Sequence, residues 1–251
     1  MKILVPLKRV PDPDTKIRVR ADGNGIETDG VKYAVNPFDA IALEEALRLR
    51  DQLGGGEILV VSIGAADCQE QLRAGLAMGA DRAMLVNHDV ALDSLAVAKI
   101  LAAVYQKERP DFVLMGKQAI DDDANQAGQM LAALLGIGQA TFISKLTMSA
   151  GDKRATCSRE TDAGLETVSV ALPAVLTTDL RLNEPRYVTA LGIMKAKKKP
   201  LEETSAAALG VDAAPRARLI KLARAPQRKA GIRVNSVDEL LTKLRDEARV
   251  I

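Results

Sequence analysis

Residues 57–87 read EILVVSIGAADCQEQLRAGLAMGADRAMLVN. Glu57 to Gly64 is an apolar run that closes on a glycine, as a buried strand does. "DCQEQLRAGLAMG" (67–79) carries helical spacing, and "RAMLVN" (82–87) is a second short apolar run. Strand, helix and strand within about thirty residues make the unit from which parallel sheets are assembled.

The alternation runs outward in both directions. Lys2–Leu7 is a short buried strand. "NPFDAIALEEALRLRDQLG" (36–54) is a helix that Asn36 can cap, with Pro37 at its first position and Asp39 near its positive end. "DSLAVAKILAAVYQKE" (93–108) opens on Asp93 or Ser94 as a cap, "DFVLMG" (111–116) is a strand, and "DDANQAGQMLAALLG" (122–136) is a helix. This order predicts an α/β fold of Rossmann-like type, a parallel sheet with helices on both faces.

After residue 140 the pattern turns β-rich: "ATFISKLTMS", "RATCSRET", "TVSVAL" and "AVLTTD" extend the sheet or form an antiparallel layer. Near the start, "TKIRVR" (15–20) alternates like an exposed strand, and Gly23, Gly25 and Gly30 mark turns. Residues 183–235 show little period and read as an arm that packs on another surface. "SVDELLTKLRDEARVI" (236–251) is a helix, with Ser236 and Glu239 spaced as a capping box. The expected organisation is an α/β domain with its β extension over 1–182, a segment 183–200, and a C-terminal arm and helix over 201–251.

Composition removes several function classes. Net charge is +2, so no bulk field favours nucleic acid or membrane. Three Phe, three Tyr and no Trp leave little for base stacking. Cys68 and Cys157 lack CxxC spacing and fit buried thiols in a reducing compartment. The one histidine, His88, rules out a multi-histidine metal site and reads as an ordinary strand-end residue. The N-terminal apolar run is too short for a signal peptide, and no 18-residue apolar stretch occurs, so a cytoplasmic location is expected. Lys195–Lys199 is the main basic run, either a solvated loop or a docking feature for acidic partners.

"GKQAIDDDANQAGQM" (116–130) is the densest polar stretch. It follows a strand and precedes a helix, at the sheet edge where open α/β folds bind ligands. Three readings compete. Consecutive aspartates point different ways, which disfavours a metal site. Asp121–Asp123 can instead cap a helix and complement its dipole. Or the loop is a nucleotide cradle, in which backbone N–H groups and the amides of Gln118, Asn125 and Gln126 hold phosphate, ribose and base. A hydrolase using the aspartates lacks a nucleophile and a second base. No GxxxxGK[ST] and no strand-linked GxGxxG is present.

Together "VPLKRVPD", "TDGVKYAVNPFDAIALEEALRL", "LAMGADRA", "GKQAIDDDANQAGQM", "LPAVLTTDLRLNEPRY", "IMKAKKKP", "LGVD" and "PQRKAGIRV" resemble the beta (small) subunits of electron transfer flavoproteins along nearly the whole chain. "NEPRY" and "IMKAKKK" point to the respiratory branch. The resemblance implies a heterodimer with an alpha subunit, one FAD held mainly by alpha, and a structural AMP in beta. It implies electron flow from acyl-CoA and other flavin dehydrogenases to a membrane quinone oxidoreductase, by a carrier rather than an enzyme.

Residue by residue, the implied AMP pocket uses Pro6, Asn36, Pro37, Phe38, Asp39, Ile63, Gly116, Lys117, Gln118, Ala119, Ile120, Asp121, Asp122, Asp123, Ala124, Asn125, Gln126 and Ala127. Pro6, Asp39, Ile63 and Ala127 stand where a relative has Ala, Cys, Cys and Thr, and Ala127 lacks a hydroxyl for phosphate. Phe38 is also expected near the flavin edge. Glu160 matches a position that steadies the flavin domain through an arginine of alpha. Residues 183–200 match a partner-recognition loop. There Leu191 is the implied anchor, one position displaced from the family's usual "Leu-Pro-Asn", with Ile193, Met194 and Lys195 beside it. The rival reading is a free-standing adenine-nucleotide-binding regulator of stress-protein-like fold; such proteins are usually shorter and lack residues 183–251.

Overall fold

Alternation within each strand divides the core into two layers. In a computed structural model, which describes residues 1–228 and 230–251, β1 (Lys2–Pro6) sends Ile3 and Val5 to one face and Leu4 to the other. The next elements in chain order are β2 (Arg9–Pro11), β3 (Tyr33–Val35), α1 (Pro37–Gln52), β4 (Glu57–Gly64), α2 (Gln69–Met78) and β5 (Arg82–Asn87). Then come α3 (Ser94–Glu108), β6 (Phe112–Gly116), α4 (Ala127–Leu135) and β7 (Gly138–Thr147). The remainder is β8 (Arg154–Thr161), β9 (Gly164–Ala171), β10 (Ala174–Thr178), α5 (Ala190–Ala196), β11 (Leu201–Ser205) and α6 (Val237–Thr242).

Nine strands form one sheet in the order β11-β5-β4-β1-β6-β10-β7-β8-β9. From β11 to β7 neighbours run parallel, and β8 and β9 add an antiparallel margin. The fold is therefore the expected α/β type with a β-rich extension. Ile3, Val5, Ile58, Val60 and Leu85 pack under α1 and α2, and Leu4, Leu59, Val61, Met84 and Val86 under α3 and α4. Burial on both faces explains why these strands are apolar throughout. The chain leaves β1 toward β4 and β5, then crosses back to place β6 on β1's other side. The carboxyl ends of β1 and β6 thus flank the topological switch point, where such sheets open a crevice.

Several local expectations shift. "DDANQAGQMLAALLG" is helical only from Ala127, because Asp123 and Asn125 adopt left-handed φ values of 48° and 50° and hold residues 117–126 as a loop. "TKIRVR" yields a single bridge, Val19 to Ile26, and no strand. Residues 201–205, read as patternless, pair in parallel with Ala83–Asn87 as β11. An edge strand with two glutamates carries no apolar period, so its sequence conceals it. The 183–200 segment contains α5, whose N-terminus Thr189 caps by accepting from the Gly192 N–H at 3.0 Å. A Cβ at Gly192 would strike the Ala77 carbonyl, so glycine lets α5 lie close on α2.

The chain divides into two units, 1–17 with 28–218, and 18–27 with 219–251. In the second, Leu222 N–H donates to the Gly23 carbonyl at 2.8 Å. Ser236 caps α6 through the Glu239 N–H, and Glu239 reaches back to the Asn235 N–H at 2.9 Å. The expected closing helix lasts only through Thr242 before a wide turn over 243–247. It buries no side chain, and Ile220, Ile232, Val237, Leu240, Leu241 and Val250 are all exposed. No helix among the described residues is long and apolar enough to cross a membrane.

Candidate functional site

The switch-point crevice opens into a cavity of about 300 Å³. Its floor is the end of β1, where Pro6 pairs with Val61 of β4 and the Leu7 N–H donates to the Val61 carbonyl at 2.7 Å. The start of α1 organises the walls. Asn36 stands at the cap position but makes no side-chain cap bond. Its amide instead donates to the Gln118 carbonyl at 2.8 Å and accepts from the Ile120 N–H at 3.3 Å, pinning the 117–126 loop. Asp39 accepts from the Lys8 N–H at 2.8 Å and from the Gly116 N–H at 3.0 Å, joining the ends of β1 and β6. Gly116 permits this approach, since a Cβ there would collide with Phe38 and with the Asp39 carboxylate.

Burial pushes the Asp39 carboxyl up to about 7, against the lowering effect of those two N–H groups, Asn36 and the Lys8 charge. Lys8 shows the opposite balance. Burial lowers its pKa, but ion pairs to Asp121 at 2.8 Å and Asp122 at 3.0 Å prevail and raise it. Lys117 bonds Asp179 at 2.6 Å, with its ammonium 5.4 Å from the Phe38 ring and 5.2 Å from that of Phe142. Burial opposes ionisation of Asp179, yet Lys117 and the Arg181 N–H hold it below the usual carboxylate range.

The three aspartates thus separate in role. Asp121 and Asp122 neutralise Lys8, Asp122 also turns the loop through the Ala124 N–H at 3.1 Å, and Asp123 accepts from Gln118 at 2.8 Å. No cluster of three or more His, Cys, Asp or Glu suited to a metal ion occurs among the described residues. At the start of α4, Gln126 makes no side-chain cap, and the N–H groups of Asn125, Gln126 and Ala127 have no acceptor among the described residues. These free donors at a helix start suit an anion.

Of the residues singled out by sequence, Pro6, Asn36, Asp39 and Ile63 line the cavity from one side. Gly116, Lys117, Gln118, Ala119, Asp122, Ala124, Asn125, Gln126 and Ala127 line it from the other. Pro37, Phe38, Ile120, Asp121 and Asp123 do not line it; the Phe38 carbonyl instead accepts from the Thr178 hydroxyl of β10 at 3.0 Å. Glu160 lies elsewhere, on β8, where it accepts from Arg181 at 2.7 Å. Leu191, Ile193, Met194 and Lys195 lie on α5, with the three apolar ones exposed.

Sequence reasoning missed Lys8, Met115 and the 90–92 segment, which also line the cavity, and above all His88. His88 follows β5, and its N–H donates to the Gly64 carbonyl at 3.0 Å. Its Nε2 is buried in the cavity wall with no hydrogen-bond partner. A neighbouring parallel strand that also ends on this edge was the available signal.

The geometry is that of a ligand crevice of the open α/β class, at the switch point, with free N–H donors and a buried acid. Comparison with known proteins is more specific. Residues 24–209 match the family described as the electron transfer flavoprotein domain. Over 251 residues, and all of both chains, the sequence is 54% identical to the electron transfer flavoprotein subunit beta of Bradyrhizobium diazoefficiens. It is 51% identical over the full length of both chains to the mitochondrial subunit beta of Arabidopsis thaliana. Identity to the human subunit beta is 49%, covering all of this chain and 99% of that one. The chain belongs to the electron transfer flavoprotein family, on its beta-subunit side.

Proposed function

We propose that the chain is the beta subunit of a heterodimeric electron carrier, pairing with an alpha subunit, with an AMP in the switch-point cavity. Its role is to pass electrons from acyl-CoA and other flavin dehydrogenases to a membrane quinone oxidoreductase. The observation that carries the nucleotide reading is the cavity itself, with unpaired N–H donors at the start of α4 and the unpartnered His88 Nε2. Donors of this kind fit a phosphate, and the apolar wall of Val61, Ile63, Leu92 and Val97 fits a base. The nucleotide there is a structural element; this chain's part is to orient it through Asn36, Gln118, Asn125 and Gln126.

FAD, held mainly by the alpha subunit, supplies the one-electron and two-electron chemistry. This chain contributes the Phe38–Lys117–Phe142 edge, and Glu160 as a contact for alpha. In the isolated chain Glu160 already accepts from Arg181, so that contact requires an exchange of partners. Unit 219–251 exposes apolar side chains suited to the alpha subunit surface.

Docking falls to residues 183–200. Tyr187, Leu191, Ile193 and Met194 form an exposed apolar group carried by α5 and its approach. A small apolar grip with short residence suits a carrier that must release its donor. Leu191→Ala is expected to reduce electron acceptance from an acyl-CoA dehydrogenase about tenfold, with heterodimer and flavin content unchanged. Undiminished dehydrogenase-coupled rates remove Leu191 as the anchor. The broader reading is tested by co-expression with a cognate alpha subunit. A yellow 1:1 complex reducible by an acyl-CoA dehydrogenase supports it, and a colourless monomer refutes it. Nucleotide released on denaturation reports on the cavity separately.

A further inference from the structure

The cavity is unusual in how it spends its positive groups. Lys8 is the cation a phosphate would seek, yet it is held by both Asp121 and Asp122. Lys117 is committed to Asp179. The N–H groups of Lys8 and Gly116, at the ends of adjacent strands, would suit an anion, but the Asp39 carboxylate accepts both. The start of α4 keeps free donors. It shares one cavity with Asp39, since Asn125, Gln126, Ala127 and Gly128 line the same space as that carboxylate. An anionic group bound at those donors would share the cavity with a buried carboxylate, and both lining lysines among the described residues are already paired.

We propose that Asp39 is a specificity-determining residue of this cavity, limiting the negative charge it accepts so that it takes a nucleoside monophosphate and rejects the di- and triphosphate. This rests on the reading of the cavity as an adenine-nucleotide site. Like charges a few ångströms apart in a partly desolvated pocket repel strongly, and each added phosphate adds to that repulsion. Asp39 faces the Lys8 and Gly116 N–H groups, the Asn36 amide and the Lys8 charge, and shares the cavity lining with the titratable groups Lys117, Asp122 and His88. Because its carboxyl titrates near neutrality, discrimination strengthens as pH rises and Asp39 ionises.

The test is calorimetric titration of the nucleotide-free heterodimer with adenosine, AMP, ADP and ATP, without magnesium, at about pH 6 and about pH 8.5. AMP is expected to bind at least about 100-fold more tightly than ATP at the higher pH, with the ratio falling about tenfold at the lower. AMP and ATP each lose one phosphate proton over this range, so the ratio isolates the protein. Asp39→Asn is expected to show the smaller ratio at both pH values. Should that variant not fold, Asp122→Asn, on the exposed loop, removes one of the two carboxylates that hold Lys8, lowers the negative charge of the cavity, and is expected to favour ATP by several-fold. The wild-type pH series needs no variant. A ratio that ignores both pH and Asp39→Asn overturns the proposal, since the exclusion is then one of shape. Failure of adenosine and AMP alike to bind overturns the nucleotide reading itself.

Discussion

The two edges of the central sheet are built on opposite terms. At the amino edge nearly every charge finds a partner. Glu108 joins Lys2 at 2.7 Å and also Arg82, Arg82 joins Glu57 at 2.7 Å, and Lys107 joins Glu202 on β11. Asp81 accepts from the Ile58 N–H at 2.8 Å and pairs with Arg50. At the carboxyl edge a buried acid titrates near neutrality, His88 lacks a partner, and residues 123 and 125 hold left-handed backbone. One edge fastens the strands, and the other keeps unmet donors and left-handed backbone. Sites of function concentrate such costs.

Asp39 gives the sharpest test of that contrast. Its folded-state pKa of about 7 lies above the ordinary 3.8, so its contribution to stability is full below 3.8 and is lost as pH rises through 7. Relative to Asp39→Asn, whose side chain cannot ionise, the wild-type chain is expected to lose up to about 4 kcal/mol between acid and mildly alkaline pH. Urea unfolding of both heterodimers across that range reads the difference. A flat difference would mean that folding leaves the Asp39 pKa unshifted, and the carboxyl edge would then hold no destabilised acid.

That contrast was only partly visible in sequence. The parallel core was legible because strands such as "EILVVSIG" and "DFVLMG" are apolar on both faces and alternate with helices at a short period. The place of the pocket followed from strand-to-helix junctions at Asn36 and Gly116. What the individual side chains do was less legible. Asn36 looked like a helix cap, but its amide serves the loop 82 residues away. Asp121–Asp123 looked like a helix start, but their partners are Lys8, in the link between β1 and β2, and Gln118. β11 was hidden because its pairing with β5 rests on backbone bonds rather than an apolar pattern. Each case turns on a partner far along the chain, which no local period encodes.

Glu108 tests the amino edge, with a smaller expected effect. Burial opposes its ionisation, but Arg82 and Lys2 prevail and hold it below the ordinary carboxylate value of 4.5. Glu108→Gln leaves those two cations without their shared acceptor. The group is nearly buried while Arg82 and Lys2 are about a quarter exposed, so the cost is discounted to about 2 kcal/mol. For a depressed pKa this stabilisation is present above 4.5 and fades as pH falls through the folded value. The gap between wild type and Glu108→Gln in urea midpoint should therefore close in acid. The affinity for AMP proposed for the cavity should not change, and a variant that weakens it as well would show that the two edges are coupled.

The smallest effect belongs to His88, and it separates a ligand contact from a structural residue. A buried imidazole nitrogen without a partner gains nothing for the folded chain, so His88→Ala should leave the unfolding midpoint of the nucleotide-free heterodimer almost unmoved. If Nε2 bonds the bound ligand, the same variant loses one hydrogen bond on binding, about 1 kcal/mol or roughly fivefold in affinity for AMP. Calorimetry on the two proteins measures that loss. His88→Gln, which restores a polar atom at similar reach, should recover part of it. Equal AMP affinity in wild type and His88→Ala, together with a lowered midpoint, would assign the imidazole to packing beside Gly64. The carboxyl edge would then owe its ligand affinity to the backbone of the 117–126 loop and the start of α4 alone.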